Sequence, residues 1–232
     1  NKKEVRQAMS KAINRQTIID NVYAGEALLT GPVPPGYGDW FIKPEELAAG
    51  PFKQDVAAAK QLLATAGFPN GFDITLHTIS QPADHVQTAE IIKEQLKAIN
   101  VNVTVVPEEL ASIAKRVGDG TFDFLKTGRG MRPDITGFIN DFGRPDAGSA
   151  KFWFPGWKNA ELSDLFEKLA VNLDNATRHT QARRIQDIVL DEAPHIYLVQ
   201  DFKFQAVRNY VKNHYVSFTT FNVPLREDWL DK

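Results

Sequence analysis

The side chains able to do chemistry in this chain are scattered, and their spacing removes several reactions at the outset. Five histidines stand at positions 77, 85, 179, 195 and 214. No two are four residues apart, the separation that sets paired metal ligands on one helical face, so none is assigned a catalytic or metal role. Cysteine is absent, which removes thiolate nucleophiles, disulfides and Cys-ligated zinc or iron–sulfur centres together. Neither a GxSxG elbow nor a GxxxxGK[ST] phosphate loop occurs. Gly128-Arg129-Gly130 opens like a dinucleotide fingerprint, but Pro133 falls where the third glycine is needed. Proline neither lets helix and strand approach closely nor donates an amide to a pyrophosphate. Asp134 and Asp141 carry no feature that sets a separation or raises a pKa for acid–base work.

What remains is a binding pattern in residues 122–157. A short apolar strand runs into a Gly-rich turn carrying Arg129 and Arg132, followed by Phe152, Trp153, Phe154 and Trp157. Glycine lets backbone approach a ligand, guanidinium groups offer planar donor forks, and aromatic rings supply apolar walls. The same ingredients also make a surface loop anchored by aromatics. On residue chemistry alone both readings stand.

The rest of the chain reads as scaffold for this segment. Val5, Ala8, Met9, Ala12 and Ile13 share one helical face, and Asn14 is a cap for a second helix, with Ile13 and Ile18 at hydrophobic-staple spacing. A Gly/Pro-rich crossing follows, in which Tyr37 and Trp40 either line a site or cover the core. From Asp55 the pattern becomes regular: a helix closed near Gly67, a strand with Phe72, Ile74 and Leu76, a helix from about Asp84, a strand with Val101, Val103 and Val105, a short helix from Leu110, and a strand over residues 122–126. Helix-length crossovers between short strands predict an α/β layered domain with a largely parallel or mixed central sheet flanked by helices. Ligands in such sheets bind beyond the carboxyl ends of the strands, where residues 122–157 begin. Two further helices contain Leu162 and Phe166, then Ile185 and Val189, with Arg178, Arg183 and Arg184 off their apolar faces. Residues 195–199 and 204–211 read as strands.

Composition sets the outer bounds. The chain has 232 residues with 43% apolar residues, enough for a substantial core, and a formal net charge of -2. That balance lacks the basic excess of a nucleic-acid binder. No apolar run is long enough to span a bilayer. The N-terminal residues form a charged amphipathic helix rather than a signal peptide.

Taken together, VRQAMSKAINRQTIIDNVYAGEA with the following GPVPP, DVAAAKQLLATAGFPNGF, PGWKNAELSDLFEKL and RRIQDIVLDEAPHIYLVQ resemble the C-terminal lobe of family 5 extracellular solute-binding proteins. These are the dipeptide, oligopeptide and nickel-type receptors of ABC importers. The resemblance implies a type II periplasmic-binding-protein-like lobe, residues 1–198, and a tail, 199–232, that crosses a hinge towards an N-terminal lobe outside this chain. It further implies a non-enzymatic receptor without cofactor or metal. Such a receptor hands a small solute, peptide-like or anionic, to a membrane permease, in the periplasm or outside the cell, with or without a membrane tether. An α/β enzyme or a ligand sensor using the same cleft is the alternative.

On that lobe the ligand-facing set is Gly128, Arg129, Gly130, Met131, Arg132, Asp134 and Phe138, with Tyr37, Phe152, Trp153 and Trp157. Peptide-binding members carry a Trp and then an acid for the ligand's amine at this strand exit. Here the matching residues are Gly128 to Asp134, without the Trp and with arginines instead, and only Asp134 matches the family's later acid. Recognition of a carboxylate or phosphate by Arg129 or Arg132 is therefore expected. Each charge-assisted bond contributes about 1.5 to 3 kcal/mol, so Arg132→Ala is predicted to weaken an acidic ligand about tenfold or more and to leave neutral ligands unaffected. Calorimetry on the two-lobed protein checks this; equal affinity for acidic and neutral ligands, with no effect of the substitution, overturns it.

Overall fold

The computed structural model describes residues 2–128, 130, 135, 157–204, 206–214 and 229–231. Helix α1 (Lys3–Ala12) turns Ala8, Met9 and Ala12 inward. Helix α2 (Arg15–Tyr23) begins at the predicted cap, where Asn14 accepts the Thr17 N–H at 3.2 Å. Ile13 and Ile18 flank that cap and are both 0% exposed, as a hydrophobic staple requires. After strand β1 (Ala27–Leu29) and helix α3 (Pro44–Ala49), helix α4 (Val56–Thr65) starts on Asp55, which accepts the Ala58 N–H at 2.8 Å.

The alternating segment then forms as predicted. Strand β2 (Phe72–Ile79), helix α5 (Asp84–Leu96) with a 3-10 turn at Lys97–Ile99, strand β3 (Val101–Glu108), helix α6 (Leu110–Asp119) and strand β4 (Phe124–Lys126) build a parallel three-stranded sheet of order β3-β2-β4. Its register begins with Phe72 beside Val101. Gly71 sets it: a Cβ on this residue, at φ +75°, would lie 1.8 Å from the Asn100 carbonyl oxygen. Only glycine lets the two entry turns meet this closely. Leu76, Val101 and Val103 of the sheet pack with Ala89, Ile92 and Leu96 of α5, and with α1 and α4, in the largest core. Each large aliphatic side chain buried there contributes about 1.5–3 kcal/mol.

A second core lies between helices α7 (Ala160–Val171) and α8 (Asn175–Glu192), whose caps Asn159 and Asp174 accept the N–H groups of Leu162 and Thr177. Leu162, Phe166, Ile185 and Val189 fill it together with Val33 and Tyr37.

Two predicted strands are corrected. In place of residues 195–199, strand β5 is Val199–Asp201, antiparallel to β1. Its short partner sets the ladder length, and the preceding residues are held by other contacts, described next. In place of residues 204–211, the strand β6 is Val211–Lys212, paired with β7 (Trp229–Leu230). Phe204 is 75% exposed, so the alternation there has no core to bury its apolar side chains in.

Arg15 ties these parts together. Only 3% exposed, its guanidinium donates to the carbonyls of Tyr197 (2.7 Å), Ser10 (3.1 Å) and Ile13 (3.3 Å) and to the Ser10 hydroxyl (2.8 Å). It also stacks over the Phe52 ring at 3.9 Å. Arg15→Met removes the donors to the Tyr197 and Ile13 carbonyls and to the Ser10 hydroxyl and is predicted to destabilise the fold by about 3–5 kcal/mol. Urea unfolding measures this, and a loss below about 1 kcal/mol would contradict the role given to Arg15.

Candidate functional site

The strand order makes the site. After β3 the chain crosses β2 to reach the opposite edge as β4, so the connections that leave β2 and β3 run in opposite directions across the sheet. Open α/β sheets bind ligands at such a switch point. Here β4 ends with Lys126 beside Thr78 of β2, and the chain continues through Thr127 and Gly128. From the other side α5 presents Asp84, His85 and Thr88 in its first turns.

A trough of about 860 Å³ runs from these residues along the sheet to α1 and the start of β2, within the range of small-molecule sites. Gly128 passes close to the imidazole: a Cβ on it would sit 3.5 Å from His85 Cε1. Trp157 adds an aromatic wall, and residues 193–200, held through Tyr197 by Arg15, form the opposite one. Tyr23, at the end of α2, donates its hydroxyl to Asp84 Oδ2 at 3.0 Å.

Burial dominates the electrostatics. The Lys126 ammonium is pushed down to about 8 by desolvation, although Asp84 and Asp201 favour its charge. His85 is lowered by burial and by the Lys126 charge, so it is neutral at pH 7. Tyr23 is raised by burial and by the neighbouring Asp84 carboxylate. Asp84 Oδ1 and His85 Nδ1 are buried without a hydrogen-bond partner among the described residues. The described residues contain no group of three or more His, Asp or Glu arranged to hold a metal ion. No helix among them is long and apolar enough to cross a membrane.

Of the residues singled out in the sequence, Gly128 and Trp157 meet on this cavity. Gly130 is half-buried and not on its lining. Tyr37 is 8% exposed and packs in the α7–α8 core, while Trp40 stacks on His179 at 3.5 Å; both serve the core face rather than this cavity. Arg129, Met131, Arg132, Asp134, Phe138, Phe152 and Trp153 lie outside the described residues. Sequence reasoning missed Lys126, Asp84, His85 and Tyr23. A lysine closing the apolar strand FDFLK, and an Asp-His pair opening the helix after β2, were the available signals.

A family model for bacterial extracellular solute-binding proteins, family 5 (middle region), matches residues 1–150. The glutathione-binding protein GsiB of Pectobacterium atrosepticum is 28% identical over 226 residues, covering 95% of this chain and 42% of its own length. Di/tripeptide-binding protein 1 of Pseudomonas aeruginosa is 26% identical, with 93% and 40% covered. Among solved structures, the ABC transporter-associated periplasmic binding protein DppA of Helicobacter pylori, in complex with the peptide STSA, superposes with a TM-score of 0.83. It is 26% identical, with 100% of this chain and 44% of that one covered. AgaA of A. tumefaciens R10, in complex with agropinic acid, gives 0.73 at 27% identity, with 86% and 40% covered. The chain thus spans about two fifths of the length of the relatives it matches. Its layered parallel sheet is the periplasmic-binding-protein architecture expected from the sequence.

The desolvated lysine has a stability signature. Its folded value near 8 lies below the ordinary 10.5, so between those pH values the unfolded chain binds the extra proton and stability rises with pH. Lys126→Met is predicted to raise stability at pH 7 by roughly 1–3 kcal/mol and to remove that part of the rise. Urea unfolding at pH 7 and pH 10 tests both, and a variant less stable than wild type at pH 7 contradicts a charge strained by burial.

Proposed function

The chain belongs to the bacterial extracellular solute-binding proteins of family 5, and from that membership we propose that it forms one wall of a receptor capturing a small solute for an ABC importer. The family consists of transport binding proteins rather than enzymes, and on this reading the solute leaves the cavity chemically unchanged. The observation that carries the proposal is the switch-point cavity of about 860 Å³. There, Gly128 backbone, the Trp157 ring and an ammonium without a hydrogen bond among the described residues meet at the strand ends.

The ligands named for the relatives, glutathione, di- and tripeptides, the peptide STSA and agropinic acid, support a polar organic solute of modest size. Arg129 and Arg132, with Met131, Asp134, Phe138, Phe152 and Trp153, would extend the same wall. Residues 1–198 are assigned to the binding lobe and residues 199–232 to the passage towards a second lobe. Closure of the two about the hinge would present the loaded form to a permease, a population shift limited by the solute's preference for the closed state. Delivery would take place in the periplasm or at the cell surface.

Native mass spectrometry of the protein purified without refolding is expected to show one non-covalent solute, lost on unfolding and recovered intact. Trp157→Ala is expected to reduce its retention, since an aromatic wall contributes most of its affinity through buried area. Conversion of the solute by the purified protein, or no bound solute together with no calorimetric response to peptides or organic acids, would overturn the reading.

A further inference from the structure

Among the described residues three cations line the cavity, and they differ in what they bind. Lys2 donates to the Ala66 carbonyl at 2.7 Å. Arg6 donates to the carbonyls of Ala193 and Glu192 at 3.0 and 2.8 Å. Lys126 makes neither a hydrogen bond nor an ion pair with any described residue, although it is the cation at the switch point itself. Lys126 is partly buried, and desolvation disfavours its charged form despite the fields of Asp84 and Asp201. Folding does not require it there.

The nearby acids do not neutralise it. Asp201 is engaged by Lys203. Asp84 faces Lys126 without reaching ion-pair distance, and its Oδ2 accepts from Tyr23, while Oδ1 is buried and unpaired among the described residues. Two residues of opposite charge therefore line one cavity: Lys126 at the end of β4 and, on the first turn of α5, Asp84, whose Oδ1 is itself buried.

We infer that Lys126 is the charge anchor of the cavity, and that its solute is an organic anion. The Asp84 charge selects against a second anionic group at that end, since like charges in a dry pocket repel strongly. His85 is neutral at pH 7 and adds polarity without charge. This assignment rests on the reading of the cavity as a solute site, and it names the class of solute.

Binding should also follow the protonation of Lys126. The groups around it are Asp84 and His85 of α5, Asp201 of β5 with Lys203 beyond it, and Tyr23 of α2. Of these, Lys126 itself changes charge near pH 8, so affinity for an anion is highest below that pH and falls above it.

Calorimetry at pH 7 with three matched pairs tests the inference: D-gluconate against sorbitol, lactate against propane-1,2-diol, and glycerol 3-phosphate against glycerol. At least one anion is expected to bind about tenfold or more tightly than its neutral partner, to weaken by a similar factor at pH 9.5, and to lose about tenfold or more in Lys126→Met. Lys126→Arg should retain part of the affinity, and circular dichroism melts confirm that both variants fold. The comparison of anion with neutral partner and the pH series use the unaltered protein, so the inference can fail even if a variant does not fold. Equal affinity within pairs, or binding unchanged in Lys126→Met, overturns the anchor while leaving a solute site. A co-purified solute that is neutral or cationic does the same. No binding of any probe and no co-purified solute overturns both readings.

Discussion

Arg15 carries a full positive charge at 3% exposure, between the end of α1, the Phe52 ring and the backbone at Tyr197. Taking a guanidinium out of water is unfavourable, and burial lowers its pKa from the ordinary value. The compensation is geometric: its planar donors reach the carbonyls of three residues and one hydroxyl, so most of its hydration is replaced. Tyr197 is far in sequence from Ser10 and Ile13. One residue thereby holds the turn between α1 and α2 against the strand-like residues before β5, and through them sets the wall of the cavity opposite the sheet.

Arg15 is buried and Lys126 partly buried, with opposite consequences. Arg15 is surrounded by acceptors and serves the fold, whereas Lys126 has none among the described residues and its charged form is disfavoured by desolvation. Uncompensated desolvation of this kind is characteristic of functional positions, where part of the stability is given up for a group poised to interact. The position follows from the sheet. A β3-β2-β4 order leaves a crevice beyond β2 and β4, and Lys126 is the last residue of β4, so its side chain meets the helix that leaves β2.

Much of the scaffold was legible because its signals are local. Asn14, Asp55, Asn159 and Asp174 each cap a helix through a bond to a residue three positions on, and the alternation in β2 and β3 spans eight residues each. The segments that misled were those whose pairing depends on a distant partner. Residues 195–199 alternate like a strand, yet the ladder begins at Val199 because β1 lies opposite only there. Gly128 and Trp157, singled out in the sequence by their chemistry, both line the cavity. Tyr37 looked equally suitable and belongs to the core between α7 and α8, since an aromatic ring serves a core or a cleft with the same composition around it.

By itself, then, the amino-acid sequence determined the helices, their caps, the alternating strands and the α/β class, because periodicity and capping act over a few residues. It also carried the family resemblance, which rests on ordered segments along the chain. Only the tertiary structure decided that Lys126, Asp84, His85 and Tyr23 share one cavity, and that Lys126 lacks acceptors among the described residues. Strand order, register and the meeting of residues more than forty positions apart arise from packing of the whole chain, and desolvation depends on every segment that excludes water from the site.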